Sequence, residues 1–210
     1  DLKLSPPKSE ACEHFNLATD KPIIFIMGGS LGAHSINEAV KNLLVYYTSI
    51  EDKNHYLPYS ILWQCGSRFF DDSSKWLSDF EKEYPDLAKS VKCMGFIDRM
   101  DLAYASADII ASRAGAMSIS ELALVAKPTL LIPSPHVSED HQKKNALSLV
   151  ERGAAVLIED YEVVDKLRIE IEFLLADKKT CKEMESALKA ASRPDASIRI
   201  VDEIEKLLNK

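Results

Sequence analysis

The sequence predicts an α/β fold, a doubly wound parallel sheet of about six strands with helices on both faces. Short apolar runs alternate with helical patterns along most of the chain. The runs are continuously apolar, as strands covered on both faces must be, where a half-exposed sheet would alternate. The repeated order of strand then helix points to a parallel sheet with ligands at the carboxyl ends of its strands.

The first strand is read at 23–27 (IIFIM), and it passes through glycines into a helical pattern at about 33–47. A polar connection, Asn54 to Tyr59, leads to a strand at 60–65 (SILWQC) and a helix at about 72–83. Strands follow at 91–94 (VKCM), 108–112 (DIIAS), 129–132 (TLLI) and 155–158 (AVLI), with helices at about 100–105, 118–125, 139–151 and 162–176. The helical pattern runs on to Ala191, where Arg193-Pro194-Asp195 breaks it. A last helix is read from about Ala196 to Leu208, with Ile200, Val201, Ile204, Leu207 and Leu208 in one apolar stripe. That stripe can pack on its own domain or on a partner domain. Residues 1–21 read as linker leading into the domain, 22–192 as the ligand-binding domain and 193–210 as the closing helix. A chain opening on Asp1 is expected to be a fragment of something longer.

The 210 residues fit one large domain or two small ones. An apolar fraction of 46% and a charged fraction of 28% are those of an ordinary globular protein. A net charge of −7 argues against a general nucleic-acid binder. No run approaches the roughly 20 apolar residues of a membrane span, and no secretory signal opens the chain. Cys12, Cys65, Cys93 and Cys181 form no C-x-x-C pair, and free thiols in a reducing cytosol are the expectation, with Cys65 and Cys93 buried.

Three joints between strand and helix carry the chemistry. In Gly28-Gly29-Ser30-Leu31-Gly32-Ala33 the glycines bring bare backbone N–H groups close to something, either packed protein or a phosphate. The loop lacks the full G-x-G-x-x-G spacing and the lysine of a P-loop, so nucleotide hydrolysis is not expected. In Ser112 to Glu121 a strand breaks at Gly115 and a helix is read from Ser118. Its N-terminus suits a diphosphate. Glu121 can accept from ribose hydroxyls, or fold back on Ser118 as a capping box. In Pro133 to Asn145, His141 and Gln142 open a helix, where they can cap it or bond a sugar. His136 and His141 lack a third ligand, so no metal is expected. Phe96 and Ile97 beside Gly95 read as core or as a shelf for a base, and Asp71-Asp72 as a solvated face.

Taken in order, GGSLGA, GFIDRM, SRAGAMSISEL and HQKKNA resemble the MurG family of bacterial N-acetylglucosaminyltransferases, which make lipid II from lipid I. The resemblance covers Pro22 to the final helix. It implies the carboxyl-terminal, Rossmann-like half of a GT-B glycosyltransferase, with UDP-N-acetylglucosamine as donor and no cofactor or metal. On that resemblance Ser30 in the loop of Gly28, Gly29 and Gly32 faces the diphosphate, and Ile97 meets the uracil through its backbone. Ala116, Met117, Ser118, Ile119 and Ser120 surround the base and phosphates, and Glu121 takes the ribose. Gln142, with His141 before it, reaches the sugar hydroxyls; the family often has glutamine where His141 stands.

The resemblance further implies an amino-terminal domain with the catalytic base, the lipid I site and the membrane contact, placing the intact enzyme on the inner face of the cell membrane, peripheral and cytoplasmic. The final helix would cross to that domain. Two other readings stand beside it: a UDP-N-acetylglucosamine 2-epimerase, which needs more cleft carboxylates than Glu121, and a non-catalytic subunit that presents a UDP-sugar.

Overall fold

The computed structural model describes residues 6–50, 56–135 and 140–208. Asn54 and His55 ahead of the second strand, and His136 to Glu139 after the fifth, lie outside the described residues. The strands are β1 (Ile23–Met27), β2 (Ser60–Gln64), β3 (Val91–Met94), β4 (Ile109–Ser112), β5 (Thr129–Leu131) and β6 (Val156–Leu157). They form one sheet in the order β3-β2-β1-β4-β5-β6, every pair parallel. Each β1, β2, β4 and β5 residue is buried, which is why those runs are continuously apolar. At the β3 edge Lys92 is exposed and Cys93 only partly covered, so Cys93 is a free thiol but not a buried one.

Sequential strands run outward from β1 in one direction, then from β4 in the other. That reversal is a topological switch point, and it opens a crevice at the carboxyl ends of β1 and β4. Register sets Met27 against both Gln64 and Ser112, so the loops that follow β1, β2 and β4 start level with one another.

The helices are α1 (Lys8–Phe15), α2 (His34–Thr48), α3 (Phe70–Glu83), α4 (Pro85–Ala88), α5 (Met100–Ser106), α6 (Ala116–Val125), α7 (His141–Val150), α8 (Val163–Ala176), α9 (Lys178–Ala191) and α10 (Ala196–Leu208). On α2, buried Asn37 accepts from Trp63 Nε1 at 3.0 Å and donates to the Cys65 carbonyl at 3.0 Å. A polar group is thus satisfied inside the core, and it pins the end of β2.

The stretch read as linker contains a helix. Ala11, Cys12 and Phe15 of α1 are buried and the helix packs along α5. Lys8 Nζ donates to Asp108 at 2.6 Å, and Asp108 Oδ2 also accepts the Ile23 N–H at 2.8 Å. Eight residues with three apolar positions are too short a pattern to stand out from a linker. The pattern to Ala191 is likewise two helices: Asp177 accepts from the N–H groups of Lys179 and Thr180, ending α8 and capping α9. On α10 the whole stripe is exposed, from Ile204 at 51% to Leu208 at 79%. It does not pack on its own domain among the described residues.

Candidate functional site

The three glycines of the first loop do different work. A Cβ on Gly28 would lie 2.6 Å from the Ala33 nitrogen. Gly32, at φ +82°, would place one 2.1 Å from the Cys65 carbonyl oxygen, and Gly66 after β2 would strike Gly32 in return at 2.2 Å. Gly28 and Gly32 are therefore bare because protein backbone touches them. Gly29 differs: its φ is +86°, and the space a Cβ would take is open. Ser30 is exposed, and its carbonyl accepts the Ser67 N–H at 3.2 Å. The loop ends at Ala33, the N-cap of α2, whose first turn receives no side-chain cap.

The second joint begins two residues earlier than its sequence suggests. Helix α6 starts at Ala116 with Gly115 as N-cap and no side-chain cap, so Ser118 is the third helical residue. The capping box is therefore not formed, because Ser118 lies inside the helix and Glu121 on its second turn. Tyr104 on α5, buried in the core, donates its hydroxyl to Glu121 Oε2 at 2.8 Å instead. Burial, then the Glu121 charge, push the Tyr104 phenol well above its ordinary pKa. It therefore stays a donor, and Glu121 Oε1 has no protein partner among the described residues. Ala116 and Met117 are exposed at the mouth of the helix. Ile119 and Ser120 turn elsewhere: they line a separate groove with Ser148, Arg152 and Arg193.

At the end of β3, Ile97 is buried, which leaves only its backbone for a ligand, while Phe96 is exposed. After β5, Gln142 Oε1 accepts the Ser134 N–H at 2.9 Å, so the side chain braces its own loop through its oxygen. His141 is exposed beside it. Asn145 donates to the Ala114 carbonyl at 3.1 Å, tying α7 to the joint before α6. Asp71 and Asp72 are exposed on α3. No metal-holding group of histidine, cysteine or carboxylate exists among the described residues.

Two helix N-termini, α2 and α6, thus follow adjacent strands, uncapped by side chains and flanking the switch point. Each carries about half a positive charge and unpaired N–H groups. Such a pair can hold a diphosphate without a cation.

Sequence reasoning missed Tyr104, Arg113 and Asp160. Arg113 Nη1 donates to the Ile132 and Pro133 carbonyls at 3.1 and 3.3 Å and to Asp160, and Nη2 donates to Ser35 at 3.1 Å. Arg113 stands in the quoted motif directly after a strand, a place that could have flagged it. Tyr104 and Asp160 carry no local signal.

The profile described as the glycosyltransferase family 28 C-terminal domain matches residues 23–200. The chain belongs to that family. Among relatives of the family 28 domain, two bacterial proteins carry one name, UDP-N-acetylglucosamine--N-acetylmuramyl-(pentapeptide) pyrophosphoryl-undecaprenol N-acetylglucosamine transferase. That of Christiangramia forsetii is 40% identical over 208 residues, 99% of this chain and 52% of the relative. That of Parabacteroides distasonis is 41% identical over 204 residues, 97% of this chain and 52% of the relative. The chain spans about half the length of these relatives. Among solved structures, Acinetobacter baumannii MurG superposes with a TM-score of 0.73 at 26% identity, covering 98% of this chain and 55% of that one. Anabaena HepE in complex with UDP shares the fold, with a TM-score of 0.64 at 19% identity over all of this chain and 55% of its own.

Proposed function

We propose that this family 28 domain binds UDP-N-acetylglucosamine as the donor half of an inverting N-acetylglucosaminyltransferase that converts lipid I to lipid II. The observation that carries the reading is that two uncapped helix N-termini, α2 and α6, follow the adjacent strands β1 and β4 at the switch point, and that α6 also carries a carboxylate held by Tyr104. The names of the relatives and the UDP in the HepE crystal support the choice of ligand.

In this reading the first turns of α2 and α6 take the diphosphate, with Gly29 and Ser30 offering open backbone beside it. Glu121 Oε1 accepts from the ribose hydroxyls. Ile97 meets the uracil by its backbone, Ala116, Met117 and Ser118 border the base and phosphates while Ile119 and Ser120 face the separate groove, and Gln142, with His141, reaches the sugar through its amide nitrogen. A muramyl hydroxyl attacks the anomeric carbon on the face opposite UDP, and the bond to the β-phosphate oxygen breaks with inversion. The two helix ends stabilise the charge gathering on UDP. A base outside this chain takes the hydroxyl proton.

The partner half lies in the length that the relatives have and this chain lacks. We assign lipid I recognition and membrane contact to that half, and a peripheral place on the inner face of the cell membrane to the whole. Residues 193–210 form the segment that crosses to it, because the α10 stripe is apolar and uncovered. No helix among the described residues is long and apolar enough to cross a membrane.

Calorimetric titration of this chain with UDP and UDP-N-acetylglucosamine tests the reading, alongside an assay of transfer to a lipid I analogue. Binding without turnover is expected. Failure to bind either nucleotide refutes the donor role, and turnover by this chain alone refutes the two-half assignment.

A further inference from the structure

We propose that Asp160 is a positioning residue for donor binding: through Arg113 it fixes the spacing between the loop that reaches the sugar and the loops that hold the diphosphate. This rests on the donor reading above, but on different atoms. Asp160 sits in the turn after β6. Its Oδ1 accepts from both Arg113 Nη1 and Ser35 Oγ, the latter at 2.6 Å, and Arg113 Nη2 closes the triangle onto Ser35. The remaining reach of Arg113 goes to the carbonyls of Ile132 and Pro133. One guanidinium and one carboxylate therefore join the segments that follow β1, β4, β5 and β6.

Only arginine's planar fork can serve those directions at once, and it needs a counter-charge to stay where it is. The Arg113 and Asp160 side chains are 14% and 19% exposed, so water and salt screen the pair little. Without Asp160 the guanidinium is left as an uncompensated, largely buried charge, and its fork is free to turn away. The β5 end then loses a fixed donor at two consecutive carbonyls. Ser134 follows directly, and its N–H is what Gln142 accepts. Beside this triangle, Glu159 pairs with Lys143 on the first turn of α7, so two successive carboxylates of one turn hold the sugar-side loop.

A nucleotide sugar is a molecule of fixed length recognised at both ends by different loops. The gain from the second end depends on the loops being held at the right separation. Asp160 touches none of the donor in this scheme, yet the sugar's added affinity passes through it.

The test is Asp160→Asn, which keeps size and an acceptor oxygen but removes the charge, with Asp160→Glu as the conservative variant. The full chain is titrated with UDP and, separately, UDP-N-acetylglucosamine, and deuterium exchange is followed in the same proteins. Network residues of this kind alter coupling by about two- to thirtyfold. UDP-N-acetylglucosamine affinity should fall by a factor in that range while UDP affinity falls less, and Asp160→Glu should recover part of the loss. Exchange should quicken together at the bonded amides of Asn37, which donates to the Ala33 carbonyl, and Ser134, which donates to Gln142. Equal weakening of both nucleotides, or none, overturns the proposal. So does a gain in UDP affinity, which would mean that Arg113 itself serves the phosphates once released. If the unsubstituted chain binds neither nucleotide, the donor reading fails and exchange alone judges the clamp: loosening confined to residues 158–162 sinks it, and joint loosening of both loops upholds it.

Discussion

The Tyr104 hydroxyl donates to Glu121 Oε2 at 2.8 Å, linking the buried face of α5 to the second turn of α6. That bond orients a carboxylate whose other oxygen remains available. Glu121→Gln removes the charge that strengthens bonds from ribose hydroxyls. Charge-assisted bonds are worth roughly 1.5–3 kcal/mol, so UDP affinity should fall about ten- to a hundredfold. Deoxy-UDP should bind the unaltered chain more weakly than UDP, and the gap should shrink in the variant. Equal weakening of both would place Glu121 away from the sugar.

Tyr104→Phe leaves the charge and removes only its orienting donor. Its UDP affinity should therefore fall less than that of Glu121→Gln, with a lower melting temperature from the lost bond in the core. Titration and thermal melting of both variants, side by side, check the order. A larger binding loss in Tyr104→Phe would contradict the assignment of the contact to Glu121.

Donor binding should survive chelation. The helix ends of α2 and α6 supply the positive field, and no metal-holding cluster exists among the described residues. UDP titrated with and without excess chelator should give the same affinity. A collapse that magnesium or manganese reverses would refute this.

Glycine substitutions should separate packing from binding. Gly32→Ala drives a Cβ into the Cys65 carbonyl and against Phe69 while forcing a left-handed backbone. The β1–α2 and β2–α3 loops must part, and the variant should unfold at markedly lower denaturant. Gly29→Ala carries only the backbone strain, about 1–3 kcal/mol, with open space for its methyl group. It should fold, yet bind UDP less well, because the donor reading sets the open Gly29 backbone beside the diphosphate. Equal stability of the two variants would contradict the contact geometry.

Alkaline pH should destabilise the domain through its buried tyrosines. Burial first of all raises the pKa values of Tyr47, Tyr59 and Tyr104 above the ordinary phenol. In the unfolded chain each ionises near pH 10. Above that pH the unfolded chain holds fewer protons than the folded one, so stability falls as pH rises. Each tyrosine contributes about 1.4 kcal/mol per pH unit while it stays protonated in the fold. Urea midpoints measured across this range should steepen downward above about pH 10. The Tyr59 hydroxyl is buried without a hydrogen-bond partner among the described residues. Tyr59→Phe should therefore leave neutral-pH stability unchanged or raise it, and should blunt the alkaline loss.

The sheet was legible because its strands are buried on both faces, and an unbroken apolar run such as IIFIM has few other uses. The three loops were legible because glycine and proline punctuate them. What escaped notice depends on contacts distant in sequence. Asp160 meets Arg113 across 47 positions and Ser35 across 125, and no local pattern records such a meeting. The start of α6 was misplaced for a related reason. Ser118-x-x-Glu121 satisfies a local capping rule, but Tyr104 competes for Glu121 from another helix. The roles of the glycines divided in the same way, since Gly32 answers to Gly66 on a neighbouring loop.

Helix α1 gives the domain an asymmetric mechanical grip. Through Lys8 and Asp108 it is fastened to the sheet at the amino ends of β1 and β4, while the crevice lies at their carboxyl ends. Five residues of β1 separate the two, a lever of roughly 17 Å at about 3.3 Å per residue. Any load passed down the chain ahead of α1 is applied behind the sheet, and the crevice rim travels on the long arm. Turning the domain by about 10° around that fastening moves the rim about 3 Å, the reach of one hydrogen bond. A modest pivot at the rear is thereby enough to make or break contacts at the mouth.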